Sequence, residues 1–302
     1  MSFFDTLGQM VVIIFAVAVG FTARKKQVIT EETTRSLTNF VLTFLMPCKI
    51  LASVTNGTEL PSMESLLEVL KMALVFYGTG VVFLLFVPRL LGGTDKQKGV
   101  WRYVMMFPNT AFVGYPIIET MYGTGAVFYA VLLNLPFNLL TYSMAPLLLA
   151  GQRRFSLKQS ISPCVVTSFI SLVIALVGFR APALFGTTVS FVGEAAMPLS
   201  LIVLGSVLAN TPIRGALTSP RIWILSVIRL LVLPVVMLLL MRPLHIDSIV
   251  MGVGTLEGGM PCGISGTMIS LQYGGDVECI TQVILLSTLL SMVTIPIVST
   301  LL

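Results

Sequence analysis

Stretches of about 20 mostly apolar residues, the length that crosses a bilayer as an α-helix, follow one another along the sequence. Short loops separate them and leave no room for a soluble domain. Of the 302 residues, 56% are hydrophobic and 10% are charged, against about 25% charged in soluble domains. The sequence therefore predicts an all-α polytopic membrane protein with ten transmembrane helices. We predict helices 1 to 10 at 7–23, 37–55, 66–88, 100–121, 125–149, 161–179, 190–209, 221–241, 248–271 and 279–301.

Lysine and arginine residues are concentrated on one side of this predicted arrangement. The loops after helices 1, 3, 5 and 7 contain thirteen basic residues, whereas the opposite loops contain Arg180 and Arg242. By the positive-inside rule, the basic loops are cytoplasmic and both termini lie outside. The net charge of +5 thus reflects topology, and we expect no nucleic-acid partner. No basic segment or cleavage site precedes the first apolar run, so we expect no cleavable signal peptide.

The two halves of the sequence resemble each other. Met46-Pro47 in helix 2 recurs as Met197-Pro198 in helix 7, and a Tyr-Gly pair after helix 4 recurs after helix 9, both 151 residues later. Because each half has an odd number of helices, the second half enters the membrane from the opposite face. We predict two inverted five-helix repeats, 1–151 and 152–302. Secondary transporters are often built in this way, with the binding site near the middle of the membrane.

Helices 4 and 9 are both interrupted. Residues 108–116 contain two prolines and a glycine, and residues 257–266 contain a proline and four glycines. Each proline removes a backbone donor and distorts the preceding turn. In a bilayer the freed carbonyl groups need partners in the protein or in a water-lined cavity. Paired breaks predict that broken helices 4 and 9 cross at a binding site; the alternative is a proline kink that only shapes the bundle.

Several segments resemble the auxin efflux carrier family. They are Gly-Phe-Thr-Ala-Arg-Lys-Lys at 20–26, Pro47, Pro-Asn-Thr-x-Phe-x-Gly-x-Pro at 108–116, and Leu-Ser-Thr-Leu-Leu-Ser-x-x-Thr-x-Pro at 286–296. The bacterial members are often described as malate or malonate permeases, and the broader superfamily includes sodium-coupled bile acid symporters.

The resemblance implies an architecture and a mechanism. Helices 1, 2, 6 and 7 would form a scaffold domain, and helices 3–5 and 8–10 a transport domain that moves like an elevator. A homodimer joined through the scaffold helices is implied, as is a small organic anion carrying a carboxylate as substrate. We expect the protein in the lipid bilayer of a bacterial cytoplasmic (inner) membrane.

The predicted half-helix N-termini present free N–H groups and positive dipole ends, which attract a carboxylate. Asn109 adds a side-chain donor and Thr110 a weaker one, although Asn109 has an alternative role as a helix cap. Asn134 and Asn138 share one face of helix 5, where they either line the same cavity or hydrogen-bond between helices. The predicted substrate-binding residues are Pro108, Asn109, Thr110, Gly114, Pro116, Asn134, Asn138, Met260, Pro261 and Ser265.

Charged residues inside the predicted helices are costly and therefore point to function. Glu257 and Glu119 are candidate protonation sites, cation ligands or partners of a buried base, or, for Glu119, a group that reaches interfacial water. Arg229 either pairs with a carboxylate such as Glu257 or attracts the anion. We expect Lys49 to extend to the interface. Coupling to protons, to sodium or to the membrane potential alone stays open.

The residue inventory argues against an enzyme. Gly263-Ile264-Ser265-Gly266 matches a string found in intramembrane serine proteases, but His245, the one histidine of the sequence, lies in a predicted outer loop away from it. The four cysteines have neither metal nor disulfide spacing, and we expect no cofactor. The alternative to a transporter is a non-transporting receptor or sensor on the same fold that binds a lipid or small ligand.

Overall fold

The computed structural model describes residues 3–55, 62–151, 162–209 and 213–302, and this part of the chain is helical, with one isolated β-bridge and no strands. The helices are α1 Phe3–Lys25, α2 Glu31–Thr55, α3 Met63–Leu91, α4 Asp95–Met106, α5 Tyr115–Tyr122, α6 Thr124–Ala150, α7 Pro163–Val177, α8 Ala183–Leu208, α9 Ile213–Thr218, α10 Pro220–Leu244, α11 Ser248–Gly258, α12 Ser265–Tyr273 and α13 Val277–Ser299.

Long apolar helices dominate the fold. Five of those described, α2, α3, α8, α10 and α13, are long and apolar enough to cross a membrane. Shorter apolar stretches occur at Thr124–Phe137 in α6 and at Pro163–Val177. The prediction of an all-helical membrane protein is confirmed. The count of ten crossings and their inverted arrangement stay predictions.

Among the helices that begin earlier than predicted, α2 and α8 differ most from the prediction. α2 starts at Glu31 and not at 37, because the Thr30 hydroxyl accepts a hydrogen bond from the Thr33 amide (3.2 Å) and caps the first turn. This turn is polar, so hydropathy does not detect it. α8 starts at Ala183 and not at 190, directly after Pro182, whose extended backbone leads into the helix.

Small residues bring α1 and α8 into backbone contact. A Cβ atom on Gly20 would overlap the carbonyl group of Ile202, and one on Gly205 would overlap the carbonyl oxygen of Val17. Helices in membranes commonly associate through such small residues. α1 therefore packs extensively on the second half of α8, while α2 packs on α7 and on the first half of α8.

Three described helical segments contain a π-helical turn: Val41–Leu45, Thr110–Gly114 and Ile228–Val232. Each is followed two residues later by a proline, at Pro47, Pro116 and Pro234. Since a proline ring clashes with the carbonyl group four residues earlier, the wider turn relieves the clash. π turns are frequent at functional sites, and two of these adjoin the helix breaks described next.

Candidate functional site

The two predicted helix breaks lie side by side and are joined by backbone hydrogen bonds. The amide of Asn109 donates to the carbonyl oxygen of Pro261 (2.8 Å), and the amide of Gly263 donates to that of Phe107 (2.9 Å). The two segments thus form a short antiparallel bridge. It gives partners to backbone groups that the interrupted helices leave free. We call this region the crossing.

Four helix ends meet at the crossing. α4 and α11 end there, and the π turn that leads into α5 begins at Thr110, opposite the start of α12 at Ser265. Helix C-termini carry partial negative charge and N-termini partial positive charge. The crossing therefore presents both signs of backbone charge within a few residues of chain.

Arg229 binds the two C-terminal ends. Its Nε donates to the carbonyl oxygen of Met260 (3.0 Å) and its Nη1 to that of Met105 (3.2 Å), and the side chain is fully buried in the π turn of α10. A cation at a helix C-terminus is stabilising. Among the described residues the structure records no ion pair between Arg229 and Glu257. Arg229 therefore ties the ends of α4 and α11 together.

Glu257, at the end of α11, directs its carboxyl group towards Gly114. A Cβ atom built on Gly114 would lie 2.7 Å from Oε1 and 3.1 Å from Oε2 of Glu257. The side chain is fully buried, and neither oxygen has a hydrogen-bond partner in the described part of the chain. Gly114 thus provides space for the carboxyl group and does not face an open cavity. A buried carboxyl without partners is costly.

Asn134 of α6 faces the same carboxyl group. Its fully buried amide lies next to Glu257 and to the hydroxyl of Tyr115, but without the geometry of a hydrogen bond. The side chain of Asn138, its predicted companion, lies outside the described residues.

A side chain of α3 contacts the backbone of α6 beside Asn134. The hydroxyl of Tyr77 from α3 donates to the carbonyl oxygen of Leu133 (2.6 Å) and accepts from the amide of Phe137 (3.1 Å). These two groups are the donor and acceptor of one helical turn of α6, so the Tyr77 hydroxyl bridges that turn and ties α3 to α6. The sequence did not indicate Tyr77, because its side chain comes from a distant part of the chain.

Thr110 is the first residue of the π turn that leads into α5, and Asn109 directly precedes it. Both residues are buried, with 3% of Asn109 and 4% of Thr110 exposed. Asn109 makes no side-chain cap, and its Nδ2 has no acceptor among the described residues. The capping role is therefore not observed here. An unpaired amide donor lies beside the positive end of a helix.

The remaining predicted site residues have mainly backbone or packing contacts. Pro108 lies in the β-bridge, and Pro116 lies in the first turn of α5. Met260 and Pro261 contribute the carbonyl groups described above, and both are buried. Ser265 is half-buried, and its hydroxyl is hydrogen-bonded to that of Tyr103 (2.9 Å).

Lys49 does not extend to the interface, as we had expected. Its side chain on α2 is buried and pairs with Glu119 on α5, which also accepts from the Thr124 hydroxyl (3.0 Å). The expectation was wrong because a carboxylate partner lies within reach on another helix. The ion pair joins α2 to the half-helix that leads away from the crossing.

Two interrupted helices that meet inside an all-helical membrane protein are characteristic of secondary transporters. A family model described as membrane transport protein matches residues 5–155 and 147–299. The chain belongs to this family, and the resemblance to the auxin efflux carrier family is confirmed.

Curated relatives span nearly the whole chain. An uncharacterized transporter of Methanocaldococcus jannaschii is 24% identical over 95% of this chain and 95% of its own length. The uncharacterized transporter YfdV of Escherichia coli is 21% identical over 96% and 95%. An uncharacterized transporter of Methanothermobacter thermautotrophicus is 23% identical over 98% of both chains. The chain is thus similar to proteins described as transporters over nearly its whole length.

Proposed function

We propose that this protein is a secondary transporter of small organic anions that carry a carboxylate group. The observation that carries the proposal is the amide of Asn109, a buried donor without a partner in the described part of the chain, beside the N-terminal end of the segment Thr110–Tyr122. A carboxylate would accept from this amide and from the free N–H groups of the first turn. Transport would occur by alternating access around the crossing.

The packing supports a division into two parts. α1 packs on α8 and α2 on α7 and α8, whereas α4, α6, α10 and α13 surround the crossing. We propose that α1, α2, α7 and α8 form a scaffold through which a homodimer assembles. The other helices would then move as an elevator-like transport domain. The proposal includes ten crossings in inverted repeats, external termini and a bacterial inner membrane, as the basic loops and the repeat suggest.

The experiment is uptake or efflux of a panel of carboxylates by the purified protein in liposomes. Asn109→Ala removes a hydrogen bond to a charged group, worth about 1.5–3 kcal/mol, so substrate affinity is expected to fall about 10- to 100-fold. Asn39→Ala, at an exposed position of α2, is the matched control and keeps wild-type affinity.

Two outcomes count against this proposal. Unchanged affinity in Asn109→Ala would remove Asn109 from the site. Binding of a carboxylate without flux of any member of the panel would favour a receptor or sensor on the same fold.

We further propose that Glu257 couples transport to a proton or to sodium. Both oxygens are buried without partners in the described part of the chain, so an ion or proton would relieve the cost of a buried charge. Glu257→Gln is expected to abolish the dependence of flux on pH or sodium, whichever wild type shows, while the exposed Glu64→Gln preserves it. If Glu257→Gln retained the wild-type dependence, Glu257 would have no coupling role.

A further inference from the structure

A groove opens between α3 and α10 on an exposed apolar face of the protein. It encloses about 770 Å³ and is almost entirely apolar. α3 contributes Val82, Phe86 and Leu90, and α10 contributes Ile228 and Val232; all except the half-buried Ile228 are strongly exposed. Arg89 is the charged residue in its lining.

The groove arises because α3 and α10 diverge. Met72 and Phe76 in the first half of α3 share an apolar cluster with Leu233 and Met237 in the second half of α10. By contrast, the last part of α3 makes few contacts with Pro220–Val227, the first part of α10. The two helices therefore form a wedge that widens towards the end of α3.

The dimensions of the groove match one leaflet of a bilayer. Along α3 it runs from Val82 to Leu90, which at about 1.5 Å per residue is about 12 Å. Half of a hydrocarbon core is about 15 Å. An acyl chain lying along α3 would thus reach from the headgroup level to near the middle of the membrane.

Arg89 gives the open end of the groove a positive charge. Its guanidinium is exposed and donates to the carbonyl oxygen of Leu85 in its own helix (2.6 Å), and no carboxylate lies within 4 Å of it in the described part of the chain. It also lies on the side of the basic loops. Basic groups at this level attract anionic lipid headgroups.

We propose that this groove binds an anionic phospholipid, with one acyl chain between α3 and α10 and the phosphate at Arg89. Under the orientation proposed above, the lipid belongs to the cytoplasmic leaflet. The groove shares the π turn Ile228–Val232 with Arg229, but no residue of the two breaks lines it. Variants on α3 therefore test lipid binding separately from substrate binding.

The test is quantitative analysis of lipid retained by the purified protein, with native mass spectrometry after exchange into mixtures of phosphatidylglycerol and phosphatidylcholine that have the same acyl chains. Wild type is expected to retain phosphatidylglycerol selectively. Val82→Trp fills the groove and should abolish retention. Val81→Trp, at an exposed neighbouring position outside the lining, is the matched control and should retain the lipid.

Arg89→Gln separates the headgroup from the acyl chain. It leaves the groove open, so lipid should still bind, but the preference for phosphatidylglycerol should fall about fivefold, the effect of one basic side chain near an anionic surface. Arg35→Gln, on the exposed face of α2, should keep the preference.

The proposal is overturned if Val82→Trp and wild type retain equal amounts of phosphatidylglycerol, or if Arg89→Gln keeps the full preference. It is also overturned if Val82→Trp leaves lipid unchanged and instead dissociates a dimer, because the groove would then hold a second copy of the chain.

Discussion

Substitution of Gly114 by alanine tests the contact between the two broken helices. The new Cβ atom would lie 2.7 Å from Oε1 of Glu257, about 0.7 Å short of ordinary van der Waals contact at 3.4 Å. The carboxyl group cannot move without disturbing a fully buried environment, and overpacking of this kind costs about 1–3 kcal/mol. Alanine also lowers the conformational entropy of the unfolded chain, which stabilises the folded state by about 0.4–1 kcal/mol. We therefore expect Gly114→Ala to lower the free energy of unfolding by about 1–2 kcal/mol.

The assay is denaturation in mixed micelles, with Gly78→Ala as the control. A Cβ atom on Gly78 in α3 meets nothing within 4 Å, so that variant should be neutral or slightly stabilised. In a double-mutant cycle, Glu257→Ala removes the obstacle, and Gly114→Ala should then cost about 1 kcal/mol less than in wild type. The proposed contact would be refuted if the effects of Gly114→Ala and Glu257→Ala on stability added within about 0.5 kcal/mol. It would also be refuted if Gly114→Ala were as stable as Gly78→Ala.

Two further predictions concern buried charges. Lys49→Met should destabilise the fold by about 2 kcal/mol, because it leaves Glu119 without its cation, and adding Glu119→Gln should recover most of this loss. Thermal unfolding measures the stability of both variants. Equal stability of the single and double variants would exclude the ion pair. Arg229→Met should lower the free energy of unfolding by about 3 kcal/mol, because two buried helix ends lose their hydrogen-bond donor. Arg229→Lys keeps the positive charge and should lower it less. Equal losses in the two variants would show that neither the charge nor the donors of Arg229 stabilise the helix ends.

The interrupted helices were predictable from local sequence. Proline and glycine act on the backbone of their own turn, so residues 108–116 and 257–266 indicate a break without any knowledge of the fold. The repeat then suggested that the two breaks belong together. The hydrogen bonds between Asn109 and Pro261 and between Gly263 and Phe107 were not predictable in detail, because the prolines of the two breaks do not align.

The roles of the charged residues depended on the tertiary structure. Lys49 and Glu119 lie on different helices, and no spacing rule connects them, so the default expectation for an isolated lysine was wrong. Arg229 binds carbonyl groups that any residue at 105 or 260 would provide, and side-chain identities therefore carry no signal for this contact. The space that Gly114 gives to Glu257 also appears only when the two halves are packed together.

The crossing has a consequence for the order in which this protein assembles. Asn109 and Pro261 lie in opposite halves of the chain, and the N-terminal half is synthesised first. Until α11 and α12 are inserted, the amide of Asn109 and the carbonyl group of Phe107 lack the backbone partners seen here. In the membrane arrangement proposed above, the hydrocarbon core offers no replacement. The first half therefore cannot complete its packing alone. The contact closes a loop of about half the chain, which slows its formation. We therefore expect the crossing to be among the last parts of the molecule to form.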